Sequence, residues 1–194
     1  MTGALATLRA TSPIGPGRLV AVVGPSGAGK DTLIAGARAA FRDEKAVVFP
    51  RRVITRPPTD SEDNGTLKDA AFDRAVENGL FAFWWQAHGL KYGIPCIVND
   101  DIRAGRTVVC NVSRAIVGEL RIKYACVEVV LVTAPADVLA TRLVGRARES
   151  DRLIMQRIKR RIPLADLAAD HTIENTGTVE SAVDTLLAVI RRRP

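Results

Sequence analysis

The feature of the sequence that most constrains its fold is a glycine-rich loop set between an apolar run and a helical pattern. Residues 19–23 are continuously apolar, which is typical of a strand buried on both faces. A helical pattern follows the loop and continues to about Phe41. The loop fits G-x-x-x-x-G-K and consists of Gly24, Pro25, Ser26, Gly27, Ala28, Gly29 and Lys30. Strand, loop and helix in this order predict an α/β fold that binds phosphate at the loop.

The same loop indicates the chemistry. Its glycines allow backbone N–H groups to converge on phosphate oxygens, and Lys30 is expected to reach the β- and γ-phosphates of ATP. Phosphoryl transfer depends on positive charge around the transferring group, so Lys30 is predicted to be catalytic. The predicted ATP-binding segment runs from Gly24 through Lys30 and includes Asp31 and Thr32.

Apolar runs and helical patterns alternate along the rest of the chain. Strands are predicted at residues 47–54, 107–110 and 127–133, and helices at residues 71–79, 97–104, 115–124, 136–145 and 179–190. This alternation favours a P-loop NTPase fold, in which helices flank a parallel sheet. The 194 residues suffice for one such domain, predicted at residues 18–194 after a flexible leader at residues 1–17.

Composition and charge exclude several other classes of protein. Hydrophobic residues make up 47% of the chain and charged residues 25%, as in globular rather than disordered proteins. No apolar run is long enough to cross a membrane and no secretory signal is evident, so we expect a cytoplasmic protein without a membrane partner. The net charge of +7 indicates attraction to polyanions, but no nucleic-acid-binding motif accompanies it. The cysteines show no metal-ligand spacing and are interpreted as buried thiols: Cys96, Cys110 and Cys126.

Five segments, taken in order, resemble a known family. They read GPSGAGKDT at residues 24–32, RVITR at 52–56, GLKYG at 89–93, NVSR at 111–114 and NTGTVESAVDTLL at 175–187. The chain resembles the ribose 1,5-bisphosphate phosphokinases of phosphonate utilisation from Arg18 to Ile190. The resemblance implies a guanylate-kinase-like enzyme that makes 5-phosphoribosyl 1-diphosphate and ADP from ATP and ribose 1,5-bisphosphate, with Mg²⁺ as cofactor.

Two other functions remain open at this point. Guanylate kinases share the Ile54-Thr-Arg-Pro segment and Tyr92-Gly93, but their acceptor pattern then has a second arginine, a Gly-Glu pair and a tyrosine. Here those places hold Thr59, Ser61-Glu62 and no tyrosine near Leu67, which argues against a guanylate or other nucleoside-monophosphate kinase. A non-catalytic guanylate-kinase-like binding module would be free to lose its nucleotide loop, yet the loop is intact.

The resemblance also implies which residues contact the substrates. An acceptor-binding insert is expected at about residues 52–94, and a lid that closes over the phosphates at about residues 142–152. The lid would supply three catalytic arginines: Arg142, Arg146 and Arg148. The residues expected to bind the acceptor are Arg52, Thr55, Arg56, Tyr92, Gly93, Asn111 and Arg114. Guanidinium forks such as those of Arg52 and Arg56 suit phosphate oxygens.

Five positions carry open interpretations. Asp31 stands where a hydroxyl residue usually binds Mg²⁺, and the strand that often ends in a metal-supporting aspartate ends here in Asn111, so we hypothesise that Asp31 holds Mg²⁺ directly or through water. Ser113 either contacts ligand or only caps a helix. Because Trp84 and Trp85 point to opposite faces of a strand, at most one of them can reach a ligand. His88 is a weaker candidate for a general base.

Overall fold

The computed structural model describes residues 12–57, 64–144 and 168–192. Its centre is a five-stranded parallel sheet in the order β2–β7–β1–β8–β9. The strands are β1 (Arg18–Val23), β2 (Val47–Val48), β7 (Thr107–Asn111), β8 (Val127–Thr133) and β9 (His171–Glu174). This sheet confirms the predicted α/β fold.

Helices cover both faces of this sheet, because the side chains of β1 alternate between two buried cores. Val20 and Val22 pack on one face with the first and last helices of the domain, and Leu19 and Ala21 pack on the other face. The helices are α1 (Lys30–Ala40), α2 (Asp69–Glu77), α3 (Val98–Arg103), α4 (Val117–Lys123), α5 (Ala136–Val144) and α6 (Val179–Arg191). A short 3₁₀ turn, Arg114–Ile116, precedes α4. None of the helices within the described residues has the length and apolar character needed to span a bilayer.

A second, four-stranded sheet lies beside the first, in the order β4–β3–β6–β5. Its strands are β3 (Val53–Ile54), β4 (Gly65–Thr66), β5 (Phe81–Ala87) and β6 (Leu90–Pro95). β5 and β6 form an antiparallel hairpin through the turn at His88 and Gly89. Helix α2 packs on this hairpin, where the rings of Phe72 and Phe81 stack with centroids 4.6 Å apart. This sheet forms one wall of the candidate site.

The predicted single strand at residues 47–54 is wrong. Residues 47–48 belong to the large sheet and residues 53–54 to the small one. Pro50 lies between the two halves, and proline has no N–H group to donate to a sheet. The chain therefore leaves one sheet at this proline and enters the other at β3.

Two further expectations need correction. The fold begins before Arg18, since the N–H group of Ile14 donates to the carbonyl of Lys123 at 2.9 Å and its side chain packs against the core. Residues 1–11 of the predicted leader lie outside the described residues. Cys110 is buried, and burial raises the pKa of its thiol to about 12. Cys96, however, is exposed because it lies in the connection between β6 and α3 rather than in a core strand.

Candidate active site

The glycine-rich loop joins β1 to α1 and wraps around the start of that helix. Gly24 has a φ of 149°, and a Cβ atom there would lie only 2.0 Å from the carbonyl oxygen of Val132, so no larger residue fits. The Nζ atom of Lys30 donates to the carbonyls of Gly24 at 2.9 Å and Pro25 at 2.8 Å. The lysine is thereby folded back over the loop, where the loop N–H groups and the helix N-terminus favour an anion.

Asn175, just after β9, supports the loop from below. Its buried Nδ2 atom donates to the carbonyl of Ala28 at 2.8 Å. A Cβ atom at Gly29, which has a φ of 91°, would lie 2.5 Å from the same Nδ2 atom. The close approach of Asn175 therefore requires glycine at position 29 and fixes the loop against the sheet.

A cavity of about 180 Å³ opens in front of the loop, at the carboxyl ends of β1 and β7. Open α/β sheets bind their ligands at this end. The loop contributes six residues to its lining, together with Asp31: Gly24, Pro25, Ser26, Gly27, Gly29 and Lys30. Five of the residues predicted to bind the acceptor line the other walls: Arg52, Arg56, Tyr92, Asn111 and Arg114. The fold thus brings together residues that are up to 90 positions apart in the sequence, from Gly24 to Arg114.

Four predicted site residues lie beside the cavity rather than in its lining. Ala28 is the fully buried residue of the loop, and Thr32 is exposed on α1. The Oγ1 atom of Thr55 accepts a hydrogen bond from the backbone N–H of Lys91 at 2.9 Å. A Cβ atom on Gly93 would lie 2.6 Å from the ring of Phe81. Thr55 and Gly93 therefore shape the small sheet, and their part in ligand binding stays a prediction.

The predicted lid is only partly described. Arg142 lies on α5, and its Nη2 atom donates to the carbonyl of Asn175 at 3.1 Å. Its Nη1 atom is buried and meets no hydrogen-bond acceptor among the described residues. Arg146 and Arg148 lie outside the described residues, as does the lid beyond Val144. The catalytic roles of these three arginines stay predictions.

Asp31, Asn111 and Arg52 meet at the centre of the cavity. The Nδ2 atom of Asn111 donates to the Oδ1 atom of Asp31 at 2.8 Å, and the Nη2 atom of Arg52 lies 3.9 Å from the same oxygen. The Asp31 side chain is 46% exposed, so solvent and ligands can reach the carboxylate. No cluster of three or more His, Cys, Asp or Glu side chains able to hold a metal occurs in residues 12–57, 64–144 and 168–192. Of the residues lining the cavity, Asp31 is the one whose carboxylate suits a hard cation.

Several lining residues were left undecided by the sequence. Trp85 reaches the cavity, whereas Trp84 on the opposite face of β5 is 41% exposed and does not. His88 lines the cavity from the hairpin turn, where it has a φ of 54°. Ser113 both lines the cavity and caps the 3₁₀ turn by accepting from the N–H of Ala115 at 3.3 Å. Three apolar residues that were not predicted to belong to the site complete the lining: Ile54, Ala87 and Val112.

Comparison of the amino-acid sequence with known proteins identifies close relatives of the chain. No family model matches the chain. Ribose 1,5-bisphosphate phosphokinase PhnN of Bradyrhizobium diazoefficiens is 53% identical over 178 residues, which cover 92% of this chain and 90% of the relative. The protein of the same name from Rhodopseudomonas palustris is 50% identical over 191 residues, covering 98% of this chain and 97% of the relative.

The fold has a solved counterpart as well. Guanylate kinase from Anaplasma phagocytophilum superposes with a TM-score of 0.65, covering 91% of this chain and 86% of that one. Only 18% of the aligned residues are identical, so this likeness concerns the fold alone. The identity to the first two relatives extends over nearly the whole chain, and the chain belongs to the ribose 1,5-bisphosphate phosphokinase family.

Proposed function

We propose that the protein transfers the γ-phosphoryl group of ATP to ribose 1,5-bisphosphate, giving 5-phosphoribosyl 1-diphosphate and ADP. An oxygen of the phosphate at C1 of the sugar forms the new bond to the γ-phosphorus. The bond between that phosphorus and the oxygen bridging it to the β-phosphate breaks, and ADP leaves with the electron pair. The observation that carries the proposal is the cavity in which the phosphate-binding loop faces Arg52, Arg56 and Arg114.

Each half of the cavity suits one substrate. Lys30 and the loop N–H groups would hold the ATP phosphates, and the three arginines opposite would hold the two phosphates of the acceptor. The nucleophilic oxygen belongs to the acceptor, so the protein needs no nucleophile of its own. Its contribution is to hold two polyanions in line despite their mutual repulsion, which cationic side chains make possible.

The residues present also fit a Mg²⁺ ion that arrives with ATP. Such an ion usually keeps several waters and needs only one or two protein carboxylates, and Asp31 offers one beside Lys30. When bound, the ion would neutralise part of the charge on the transferring phosphates. Asn111 would orient the Asp31 carboxylate through its hydrogen bond at 2.8 Å.

Three residues of the predicted lid complete the proposal. Arg142, Arg146 and Arg148 would add positive charge over the transferring group once both substrates are bound. The substrates are then two small phosphorylated molecules, ATP and the sugar bisphosphate. We place the reaction in the cytoplasm, where ATP is available.

The test is turnover of ATP by the purified protein with Mg²⁺ and a panel of acceptors. We expect ADP release with ribose 1,5-bisphosphate and little with GMP, AMP or no acceptor. Replacing Lys30 with alanine should lower kcat by a factor of at least about 100, because it removes a charge that acts on the transferring group. Preference for GMP would support a nucleoside-monophosphate kinase instead, and no turnover with any acceptor would support a binding module.

A further inference from the structure

We infer that Trp85 is a positioning and specificity-determining residue for the acceptor: its indole holds Tyr92 and Arg52 in place and covers the Tyr92 ring against stacking by a nucleobase. The inference rests on the proposed function. It assigns to Trp85 the discrimination between a sugar bisphosphate and a nucleotide as acceptor.

Three side chains form a continuous stack across the small sheet. The rings of Trp85 and Tyr92 are 5.3 Å apart between centroids and nearly parallel, with an interplanar angle of 5°. The guanidinium carbon of Arg52 lies 5.3 Å from the centroid of the same Tyr92 ring. Because β6 lies between β3 and β5 in the small sheet, the guanidinium approaches Tyr92 from the β3 side and the indole from the β5 side.

The stack fixes the position of Arg52. Its side chain is only 14% exposed, and its Nε atom lies 3.3 Å from the Oδ1 atom of Asn64. Its Nη2 atom lies 3.9 Å from the Oδ1 atom of Asp31. Arginine stacks well on an aromatic ring, which leaves the N–H groups around the guanidinium edge directed outward. Trp85 therefore acts on the acceptor through Tyr92 and Arg52, because a tyrosine without its indole neighbour would be free to tilt.

The same stack limits what the cavity can bind. Among the described residues of the lining, Trp85 and Tyr92 are the only ones with an indole or phenol ring, and they cover each other. Proteins commonly bind exposed nucleobases by stacking them on such rings. What remains accessible is a polar surface suited to phosphate and hydroxyl groups.

The neighbouring tryptophan provides a matched control. Trp84 is on the same strand but points to the opposite face, where its ring meets Phe72 edge-on at 6.3 Å. It is 41% exposed, whereas Trp85 is 7% exposed, and it does not line the cavity. A change at Trp84 therefore alters the same strand without touching the stack.

The experiment compares W85A, W85F and W84A with the wild-type protein by steady-state kinetics. For W85A we expect the KM for ribose 1,5-bisphosphate to rise about tenfold or more while the KM for ATP stays within about twofold. W85F should keep that acceptor KM within about threefold of wild type, because a phenyl ring can still stack on Tyr92. The ratio of kcat/KM for ribose 1,5-bisphosphate to that for GMP should fall about tenfold in W85A, which uncovers Tyr92, and about threefold in W85F, whose phenyl ring covers less of Tyr92 than the indole does. W84A should match the wild type in every parameter.

Separate outcomes test the inference and the function on which it rests. A wild-type protein that does not phosphorylate ribose 1,5-bisphosphate would contradict the proposed function before any variant is made. An active wild type whose W85A variant keeps both the acceptor KM and the preference over GMP would overturn the role of Trp85. Loss of kcat alone, with unchanged KM values and a lowered melting temperature, would assign Trp85 to stability and overturn it as well. If W85A fails to fold, W85F serves in its place. A W85F variant with an unchanged ratio of kcat/KM for ribose 1,5-bisphosphate to that for GMP would also overturn the role of Trp85.

Discussion

Asp31 stands where phosphate-binding enzymes often have a hydroxyl residue, and Asn111 stands where they often have an aspartate. The carboxylate lies at the start of α1 rather than at the end of the neighbouring strand, and the strand end carries an amide that donates to it at 2.8 Å. The net charge beside Lys30 is therefore kept, and the carboxylate is oriented by a neutral partner. Arg52, 3.9 Å away, connects this pair to the acceptor side of the cavity.

A change at Asp31 tests the magnesium hypothesis. We expect D31A to raise the Mg²⁺ concentration for half-maximal rate by about tenfold or more, because a contributing oxygen of the metal site is lost. The measurement is a Mg²⁺ titration at constant total ATP. D100A, which removes an exposed carboxylate on α3, is the control and should leave the titration unchanged. A D31A titration that overlays the wild type would show that Asp31 takes no part in holding the ion.

In the proposed two-substrate site, the hairpin of β5 and β6 adds an acceptor wall to the cavity in front of the phosphate-binding loop. Its strands carry Trp85 and Tyr92, and its turn brings His88 to the cavity. Gly93 permits this packing because the ring of Phe81 occupies the space where a side chain would lie. Phe81 cannot retreat freely, since its other neighbour is the stacked ring of Phe72.

Gly93 gives a prediction about this element. G93A should lower the free energy of unfolding by about 1–3 kcal/mol, because the added methyl group overpacks the hairpin against Phe81. Its acceptor KM should rise as well, since Tyr92 is the adjacent residue. Urea denaturation and steady-state kinetics measure the two effects. G118A, on helix α4 with no atom within 4 Å of the added methyl group, is the control and should be neutral or stabilising. A G93A protein as stable as the wild type would contradict the packing argument.

At the scale of the whole molecule, one buried arginine ties the large sheet to the C-terminal helix. Arg18, 2% exposed, donates to the Oγ1 atom of Thr107 at 3.2 Å and to Glu128 at 2.7 Å. It also donates to the carbonyls of Val189 and Ile190 at the end of α6. The cluster lies at the opposite end of the strands from the cavity, so its role is structural.

R18A should therefore destabilise the protein without a specific kinetic effect. We expect a loss of about 3–5 kcal/mol in the free energy of unfolding, because the substitution removes the buried guanidinium that pairs with the Glu128 carboxylate at 2.7 Å. Adding E128Q should recover part of that loss. Urea denaturation measures both, with R103A as the exposed control, for which a change of about 0.5 kcal/mol or less is expected. An R18A protein within about 1 kcal/mol of the wild type would refute the role of this cluster.

The parts of the fold that the sequence could predict are those that depend on local pattern. The glycines, the lysine and the apolar run before them are contiguous, so strand, loop and helix follow from residues 18–40 alone. The division of residues 47–54 between two sheets depends on which distant strands pair with each half, and that information is not local. The same holds for Tyr92, whose partners Trp85 and Arg52 lie on other segments of the chain.

The site shows the same division. The family resemblance selected Arg52, Arg56, Asn111 and Arg114, all of which line the cavity. A strand pattern of period two restricts the choice between Trp84 and Trp85 to one residue but cannot tell which face is inward. Thr55 and Gly93 belong to the same family motifs, but in the structure the Oγ1 atom of Thr55 accepts from the N–H group of Lys91 and Gly93 packs against Phe81. Membership in a motif therefore does not tell whether a residue lines the cavity or holds a neighbouring residue in place.

The proposed reaction is tested most directly by identifying the molecule that receives the phosphoryl group. The protein, ATP, Mg²⁺ and ribose 1,5-bisphosphate are incubated together, and the mixture is followed by phosphorus NMR. If the proposed reaction occurs, two coupled resonances of a new sugar diphosphate appear at the same rate as ADP, while the signal of the C1 phosphate disappears. Formation of ADP and inorganic phosphate alone, with ribose 1,5-bisphosphate unchanged, would contradict it.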